Sequence, residues 1–322
     1  MNAPKAVHVV FGAGQIGVPL ARLLVDLGHD VRVVRRSPGA VAAGASLRTG
    51  DAADATFVGE ATHGASVIYH CMNPEYSTRA WGEQLPRLRT VMVAAAAHAH
   101  ARVVLLDNLY MLGRPQGRLL REDTPIAPCS RKGEIRAREW QAWLAAHQRG
   151  DVRVVCGRGS DFYGPGATQS YFGDAFMPKA LGSSVAQTLT RLDTPHTYHY
   201  TLDVAAGLAT LGEAPDDACG RWWVLPAAAA ESTQAMLDRL GSAMGAELKV
   251  QALPALAMRV LSLFVPVLRE LGEMGYQWNE RFVTDDTGFR TRFGAAAATS
   301  LDDGARAMVE WARMHYAAKR LP

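Results

Sequence analysis

The sequence has no uncharged apolar run near the ~18 residues that would span a bilayer. Even Val260 to Leu268 is flanked by Arg259 and Arg269 and broken by Pro266. A soluble protein with no membrane partner is therefore expected. Excess charge of one sign is missing too. Lys and Arg number 34 against 31 Asp and Glu, a net +3, too small and too dispersed for the phosphate-neutralising field that nucleic-acid binding draws on. Closely spaced cysteines are absent. Cys71, Cys129, Cys156 and Cys219 are scattered, without the pairs that bind zinc or run dithiol chemistry, so reduced thiols in a cytoplasmic setting are expected and no metal. No internal repeat, low-complexity tail or clear linker stands out. Apolar residues at 48% and charged residues at 20% argue against disorder, collagen-like repeats and a disulfide scaffold. The first apolar run, Ala6 to Phe11, leads directly into a glycine motif, so cleaving it as a signal peptide would remove the first core strand.

What is present is alternation. Ala6 to Phe11 reads as a buried strand, and Gly12-Ala13-Gly14-Gln15-Ile16-Gly17 turns it into a helix. There Ile16, Leu20, Leu23, Leu24 and Leu27 recur on one face of a 3.6-residue period. Pro19 is harmless in the first turn, and Gly28 is a natural stop. Strands are predicted at Val31 to Val34, Ser46 to Thr49, Val67 to His70, Arg102 to Leu106 and Val152 to Cys156, with helices from about Leu85 to Ala99 and Ser130 to His147. This rhythm specifies an α/β fold, a doubly wound parallel sheet of the Rossmann type. At ~150 residues per domain the length suggests two units: a dinucleotide-binding domain over residues 1–160 and a smaller mixed α/β substrate lobe over residues 161–322, with some segments returning to the first. In that lobe strands are predicted at Trp222 to Leu225 and Lys249 to Ala252. Helices are predicted near Leu202 to Leu211, Thr233 to Met244, Leu256 to Met274 and Asp302 to Ala318.

Glycines at the first, third and sixth places after a strand do three jobs: a tight turn, close approach of backbone to a pyrophosphate, and close helix–strand packing. The helix then presents free N–H groups and its positive dipole end to the phosphate. Gly12, Gly14 and Gly17, with Gln15 and Ile16 between them, are accordingly read as a dinucleotide cradle rather than a merely structural turn. At the end of the second strand an acidic residue would bind the ribose of NAD, but this chain has Arg35-Arg36-Ser37. Guanidiniums and a hydroxyl suit a 2′-phosphate, so NADP is expected over NAD; the bland alternative is two solvated arginines.

Together these residues resemble the extended short-chain dehydrogenase/reductase superfamily, the NAD-dependent epimerase/dehydratase group. Gly50-Asp51 looks like the turn whose Asp meets the adenine, and Cys71-Met72-Asn73 stands where the fourth strand passes the cofactor. Arg158 and Phe162-Tyr163-Gly164-Pro165-Gly166 resemble the family's Tyr-Gly-Pro-Gly segment, Tyr198 to Ala205 resembles its Asp-Val-Ala segment, and Phe293-Gly294 to Trp311 fits its last helix. The resemblance implies a catalytic Tyr-x-x-x-Lys pair, yet none of the nine tyrosines has a lysine four positions later. Where the pair belongs the chain reads Ser130-Arg131-Lys132-Gly133-Glu134-Ile135-Arg136, with Lys132 and Arg136 in the two places. The family's Ser/Thr is replaced by Asn108.

If the fifth strand stays extended through them, Asn108 and Tyr110 point to one side at the carboxyl end of the sheet, where doubly wound folds bind substrates. Tyr110 is then the candidate proton donor, with Asn108 polarising a carbonyl and Lys132 supplying positive field. The competing reading is an ordinary amphipathic side chain at a strand end. Tyr163 and Tyr198 are the next phenols. His196 and His199, with Asp193 and Asp203, face opposite ways in an extended segment and are not read as a metal site. His98 and His100 are read as surface histidines. Trp222-Trp223 and the group Phe264, Tyr276, Trp278 and Phe282 are read as core aromatics before a nicotinamide lining. Arg269, Glu270, Glu273, Asp285 and Asp286 are read as a solvated face. The first functional reading is an NADP-dependent oxidoreductase acting on a small carbonyl or alcohol. The alternatives are a sugar-nucleotide epimerase or dehydratase and a catalytically silent NADP-binding sensor or interaction protein. The partners expected are a small-molecule substrate and, for assembly, a homodimer.

Overall fold

Residues along each central strand divide between two opposite apolar layers, which is why these strands read as continuous apolar runs. In the computed structural model, which describes residues 5–183, 185–188, 190–252, 270–294 and 297–318, the chain alternates β1 (Val7–Phe11), α1 (Gly17–Asp26), β2 (Asp30–Arg35), β3 (Ser46–Thr49), α2 (Ala55–Ala61), β4 (Val67–His70), α3 (Thr78–Ala99), β5 (Arg102–Asn108), α4 (Arg131–Gln148) and β6 (Arg153–Gly159). Short strands β7 (Asp161–Tyr163), β8 (Val185–Thr188), β9 (Pro195–His196) and β10 (Tyr198–Tyr200) follow, with α5 (Met177–Ser183) among them. After α6 (Thr201–Glu213), β11 (Arg221–Val224) rejoins the main sheet. Its order is β11-β6-β5-β4-β1-β2-β3, with all neighbours parallel. This is the doubly wound Rossmann arrangement expected from the alternation.

Val9, Phe11, Ile68, Val103, Leu105, Val154 and Cys156 face Met92 and Ala96 of α3 and Trp140 and Trp143 of α4. Val10, Tyr69, Val104 and Val155 face Leu20 and Leu24 of α1 and Val204, Leu208 and Leu211 of α6. Trp222 and Trp223 fall one on each side. A third apolar cluster holds Tyr163, Phe172, Tyr198 and Tyr200 against α7 (Thr233–Met244) and the helix Leu301–Ala318.

Two boundaries, one at α3 and one at the carboxyl edge of the sheet, differ from the sequence reading in ways that bear on the site. Helix α3 begins at Thr78 rather than near Leu85, because Ser77 caps it by accepting from Ala80 N at 3.1 Å; Pro86 lies inside, where its missing N–H forfeits one helical bond. The fifth strand ends at Asn108, and Tyr110–Leu112 form a 3-10 turn. Most of the predicted helix Leu256 to Met274 lies outside the described residues. No helix among the described residues is long and apolar enough to cross a membrane.

Candidate functional site

At the end of β1, Gly12 takes φ +101°, and a Cβ there would lie 2.9 Å from the Cys71 carbonyl oxygen. A Cβ on Gly17 would collide with the Gly12 carbonyl. These two glycines let α1 start tight against the sheet. Gly14 differs: nothing lies within 4 Å of its Cβ position. Beside it the residue before α1, Ile16, gives no side-chain cap, and no acidic residue lies in the first turn. Free backbone N–H groups and a positive dipole end thus face open space, and Gln15 Oε1 is buried there without a partner. The residues present fit a pyrophosphate.

The flanks of this cradle are where the alternation puts them. Arg36 and Ser37 are exposed and Arg35 half-buried at the end of β2, with the Arg35 guanidinium folded over Gly39. Asp51 is exposed, and its Oδ1 accepts from Ala53 N at 2.9 Å. Cys71, Met72 and Asn73 follow β4. Cys71 N donates to Phe11 O at 2.9 Å, burial raises its thiol to about 12, and Met72 packs near Gly12. Asn73 Oδ1 accepts from Arg136 Nη2 at 2.5 Å, which joins the end of β4 to the next group.

That group gathers at the carboxyl ends of β4, β5 and β6. Ser130 caps α4 by accepting from Gly133 N at 3.0 Å, and Lys132 and Arg136, one turn apart, are both buried. Arg136 pairs with Asp107 at 3.0 Å and lies 4.1 Å over the Trp81 ring. Asp107 also pairs with the fully buried Arg158 at 2.9 Å. Lys132 Nζ pairs with Glu270 and, at 2.8 Å, with Glu273, and lies 4.9 Å from the Tyr76 ring centroid. Tyr76 and Tyr110 are hydroxyl to hydroxyl at 3.3 Å, and Tyr110 stacks on Trp81 at 5.9 Å. Tyr110 and Lys132 therefore meet through Tyr76. Burial, then the charge of Asp161, raises the Tyr110 phenol to about 12, so it is protonated at neutral pH.

Several sequence expectations are corrected here. Strand alternation cannot align Asn108 with Tyr110, because β5 stops at Asn108. Instead Asn108 Oδ1 accepts from Tyr110 N at 3.0 Å, a local side-chain cap of the turn. Glu270 and Glu273 are not a solvated face but hold Lys132; Asp286 holds Ala227 N at 3.0 Å, and Asp285 accepts from Thr287 N at 3.0 Å. Arg269 and Phe264 lie outside the described residues. His196 and His199 do not face opposite ways. The extended run breaks at Thr197, and both rings reach Ser160. Tyr276, Trp278 and Phe282 are buried, and Trp278 Nε1 donates to Asp161 Oδ2 at 2.5 Å. The sequence reading missed Tyr76, Trp81, Asp107 and Asp161, which tertiary packing brings in; Asp107 lies beside Arg158 in adjacent strands. Tyr163 and Tyr198 are buried in the third cluster. Among the described residues His8, His29 and Glu213 are close enough to suggest a metal. However, the two rings stack at 3.9 Å and 23°, so their in-plane lone pairs do not converge on one ion.

A model of the NAD dependent epimerase/dehydratase family matches residues 8–225. No curated protein matches the chain. Among solved structures, one of a putative epimerase from Burkholderia cenocepacia is similar at TM-score 0.76 and 20% identity, over 97% of this chain and 99% of that one. UDP-glucuronic acid 4-epimerase from Bacillus cereus, in complex with NAD, is similar at 0.78 and 16%, over 96% and 99%. UDP-glucose 4-epimerase from Bifidobacterium longum, in complex with NAD+ and UDP, is similar at 0.77 and 14%, over 97% and 99%. Likeness at this level of identity establishes the fold.

Proposed function

The chain belongs to the NAD dependent epimerase/dehydratase family, and on that premise we propose that it binds a nicotinamide dinucleotide and acts on a secondary alcohol or carbonyl of a nucleotide-linked sugar. One observation carries the reading: the open cradle over Gly14 and the Tyr76, Tyr110, Lys132 and Arg136 cluster lie at the same carboxyl edge of the sheet, linked by Asn73. Family membership and, of the three similar epimerases, the two whose names carry a UDP-linked sugar favour a nucleotide sugar over a free small carbonyl. Gly12, Gly14, Gln15, Ile16 and Gly17 would hold the pyrophosphate, Asp51 the adenine side, and Cys71, Met72 and Asn73 the passage to the nicotinamide. Arg35, Arg36 and Ser37 favour the 2′-phosphate of NADP. When bound, the dinucleotide supplies the hydride acceptor and donor.

The chain's own residues then handle the proton. A Tyr110 phenol that stays protonated gives its proton to a substrate oxygen that gains charge. Arg136, fixed between Asp107 and Asn73, holds a positive charge beside it. Lys132 is largely neutralised by Glu270 and Glu273, so its part is to anchor that segment over Tyr76 more than to lend field. Asn108 shapes the turn that presents Tyr110. The experiment is calorimetry with NADPH and NADH, then incubation of the dinucleotide-loaded protein with a panel of UDP-linked sugars followed by product analysis. Binding of the dinucleotide without conversion of any nucleotide sugar would overturn the substrate reading.

A second reading, hydride transfer on a small carbonyl or alcohol, is favoured by Glu270 and Glu273, which put two carboxylates at Lys132 where a nucleotide diphosphate would add further negative charge. NADPH oxidation with simple aldehydes and ketones, in place of nucleotide-sugar turnover, separates the two.

A further inference from the structure

Two histidines flank Ser160, and their partners dictate different proton counts. His199 Nδ1 accepts from the Ser160 backbone N–H at 3.1 Å, while Nε2 donates to the Leu225 carbonyl at 3.1 Å. A ring with one accepting and one donating nitrogen is neutral, and burial lowers this histidine to about 4. His196 meets acceptors on both sides. Its Nδ1 lies 3.0 Å from the Gln277 carbonyl, which has no hydrogen to give, so Nδ1 carries one. Its Nε2 lies 2.9 Å from Asp161 Oδ2 and 3.0 Å from Ser160 Oγ. A bare lone pair against a carboxylate at that distance is repulsive, so a proton lies between Nε2 and Oδ2. The pair thus holds one proton more than a neutral imidazole beside a carboxylate, whichever atom it is assigned to. The fully buried His196 ring lies between Trp278 (6.3 Å, 19°) and Phe282 (5.6 Å, 18°).

The register of the sheet brings this pair to the candidate site. Asn108 of β5 is paired with Gly159 of β6, and Tyr110 and Asp161 each follow two residues later, leaving the same end of adjacent strands. The Asp161 charge acts on both Tyr110 and Tyr76. The other titratable groups facing the pair are Tyr171, Tyr198 and His199. The phenols stay protonated and His199 neutral around neutral pH, so among these the shared proton is the exchangeable one.

We propose that Asp161 and His196 form a proton-holding pair that reloads Tyr110. This rests on the reading of Tyr110 as proton donor. As the Tyr110 O–H bond breaks and its proton passes to a substrate oxygen, the phenolate takes the proton shared by the pair. Asp161 is left ionised and His196 neutral with Nδ1–H. Solvent restores the proton through Asp161, whose side chain is 19% exposed. No electrons move in this transfer, and neither residue touches the reacting carbon; both are positioning residues.

The test begins without turnover. Long-range nitrogen–proton NMR at pH 7.5 on wild type and Asp161→Asn reads the protonation of both His196 ring nitrogens. Both carry hydrogen in wild type, and Nε2 loses it in Asp161→Asn. A bare Nε2 in wild type beside an ionised Asp161, read from the Asp161 carboxyl carbon shift, overturns the proposal. With a substrate in hand, Asp161→Asn and His196→Gln lower kcat about tenfold or more, and added imidazole restores turnover in a concentration-dependent way. Wild-type kcat in both variants, or a loss that imidazole does not relieve, overturns it. If His196→Gln does not fold, Asp161→Asn carries the test alone. Absence of turnover with every substrate, alongside a doubly protonated His196, removes the functional reading and leaves the pair itself standing.

Discussion

Replacing Gly14 by valine is expected to remove dinucleotide binding and spare the fold, whereas the smaller change Gly17→Ala is expected to damage the fold. No atom lies within 4 Å of a Cβ at Gly14, so a side chain there enters only the space proposed for the pyrophosphate. At Gly17 the Cβ collides with the Gly12 carbonyl, with Val10 Cγ1 at 3.4 Å. Strand β1 and helix α1 would have to part against the buried Val10, Ile16 and Leu20. Overpacking of this kind costs about 1–3 kcal/mol, equivalent to a fall of roughly 2–6 °C in Tm. A ligand that binds only the folded state adds about 2.7 kcal/mol at 100 times its Kd, a rise of roughly 5 °C. Differential scanning fluorimetry with and without NADPH reads both quantities. Wild type should show the ligand-induced rise, Gly14→Val an unchanged Tm without the rise, and Gly17→Ala a lowered Tm. A full NADPH response in Gly14→Val would place the phosphates elsewhere. A wild-type Tm for Gly17→Ala would refute the packing argument.

Charge-assisted hydrogen bonds contribute about 1.5–3 kcal/mol, so NADPH should bind about tenfold or more tightly than NADH, and the double variant Arg35→Ala/Arg36→Ala should lose that preference; equal affinities by calorimetry in wild type would sink the assignment. Tyr110→Phe removes only a hydroxyl and keeps the stack on Trp81, so it should lower kcat by ~10²–10⁴ with little change in dinucleotide affinity, and near-normal turnover would end its role. Stability should depend on pH through His8, His70 and His199, each buried and lowered from 6.5 to about 4, mainly by burial. The unfolded chain takes up protons from about pH 6.5 while the fold resists until about 4. Stability is therefore complete above 6.5 and falls as pH drops, by up to about 1.4 kcal/mol per pH unit for each histidine. Urea melts of equal midpoint at pH 7.5 and pH 4.5 would contradict this.

Whatever depends on residues near each other in the chain was legible in the sequence. A strand, a glycine turn and a helix are local, and their order specifies the parallel sheet because alternation leaves few ways to cover two apolar faces. The glycine turn that joins β1 to α1 was readable for the same reason, and so was the spacing of Lys132 and Arg136, one helical turn apart. Where the fifth strand stops was not readable, since Leu109 and Tyr110 suit an extended chain as well as the turn that Asn108 caps. Nor was the fate of Lys132, whose two carboxylates come from 138 and 141 residues away, or of His196, paired with an aspartate across a different strand. Charge on a side chain is a property of its neighbours in space. Local sequence states which groups can ionise, and only the packing of distant segments decides which of them are paired, buried or left to carry a proton.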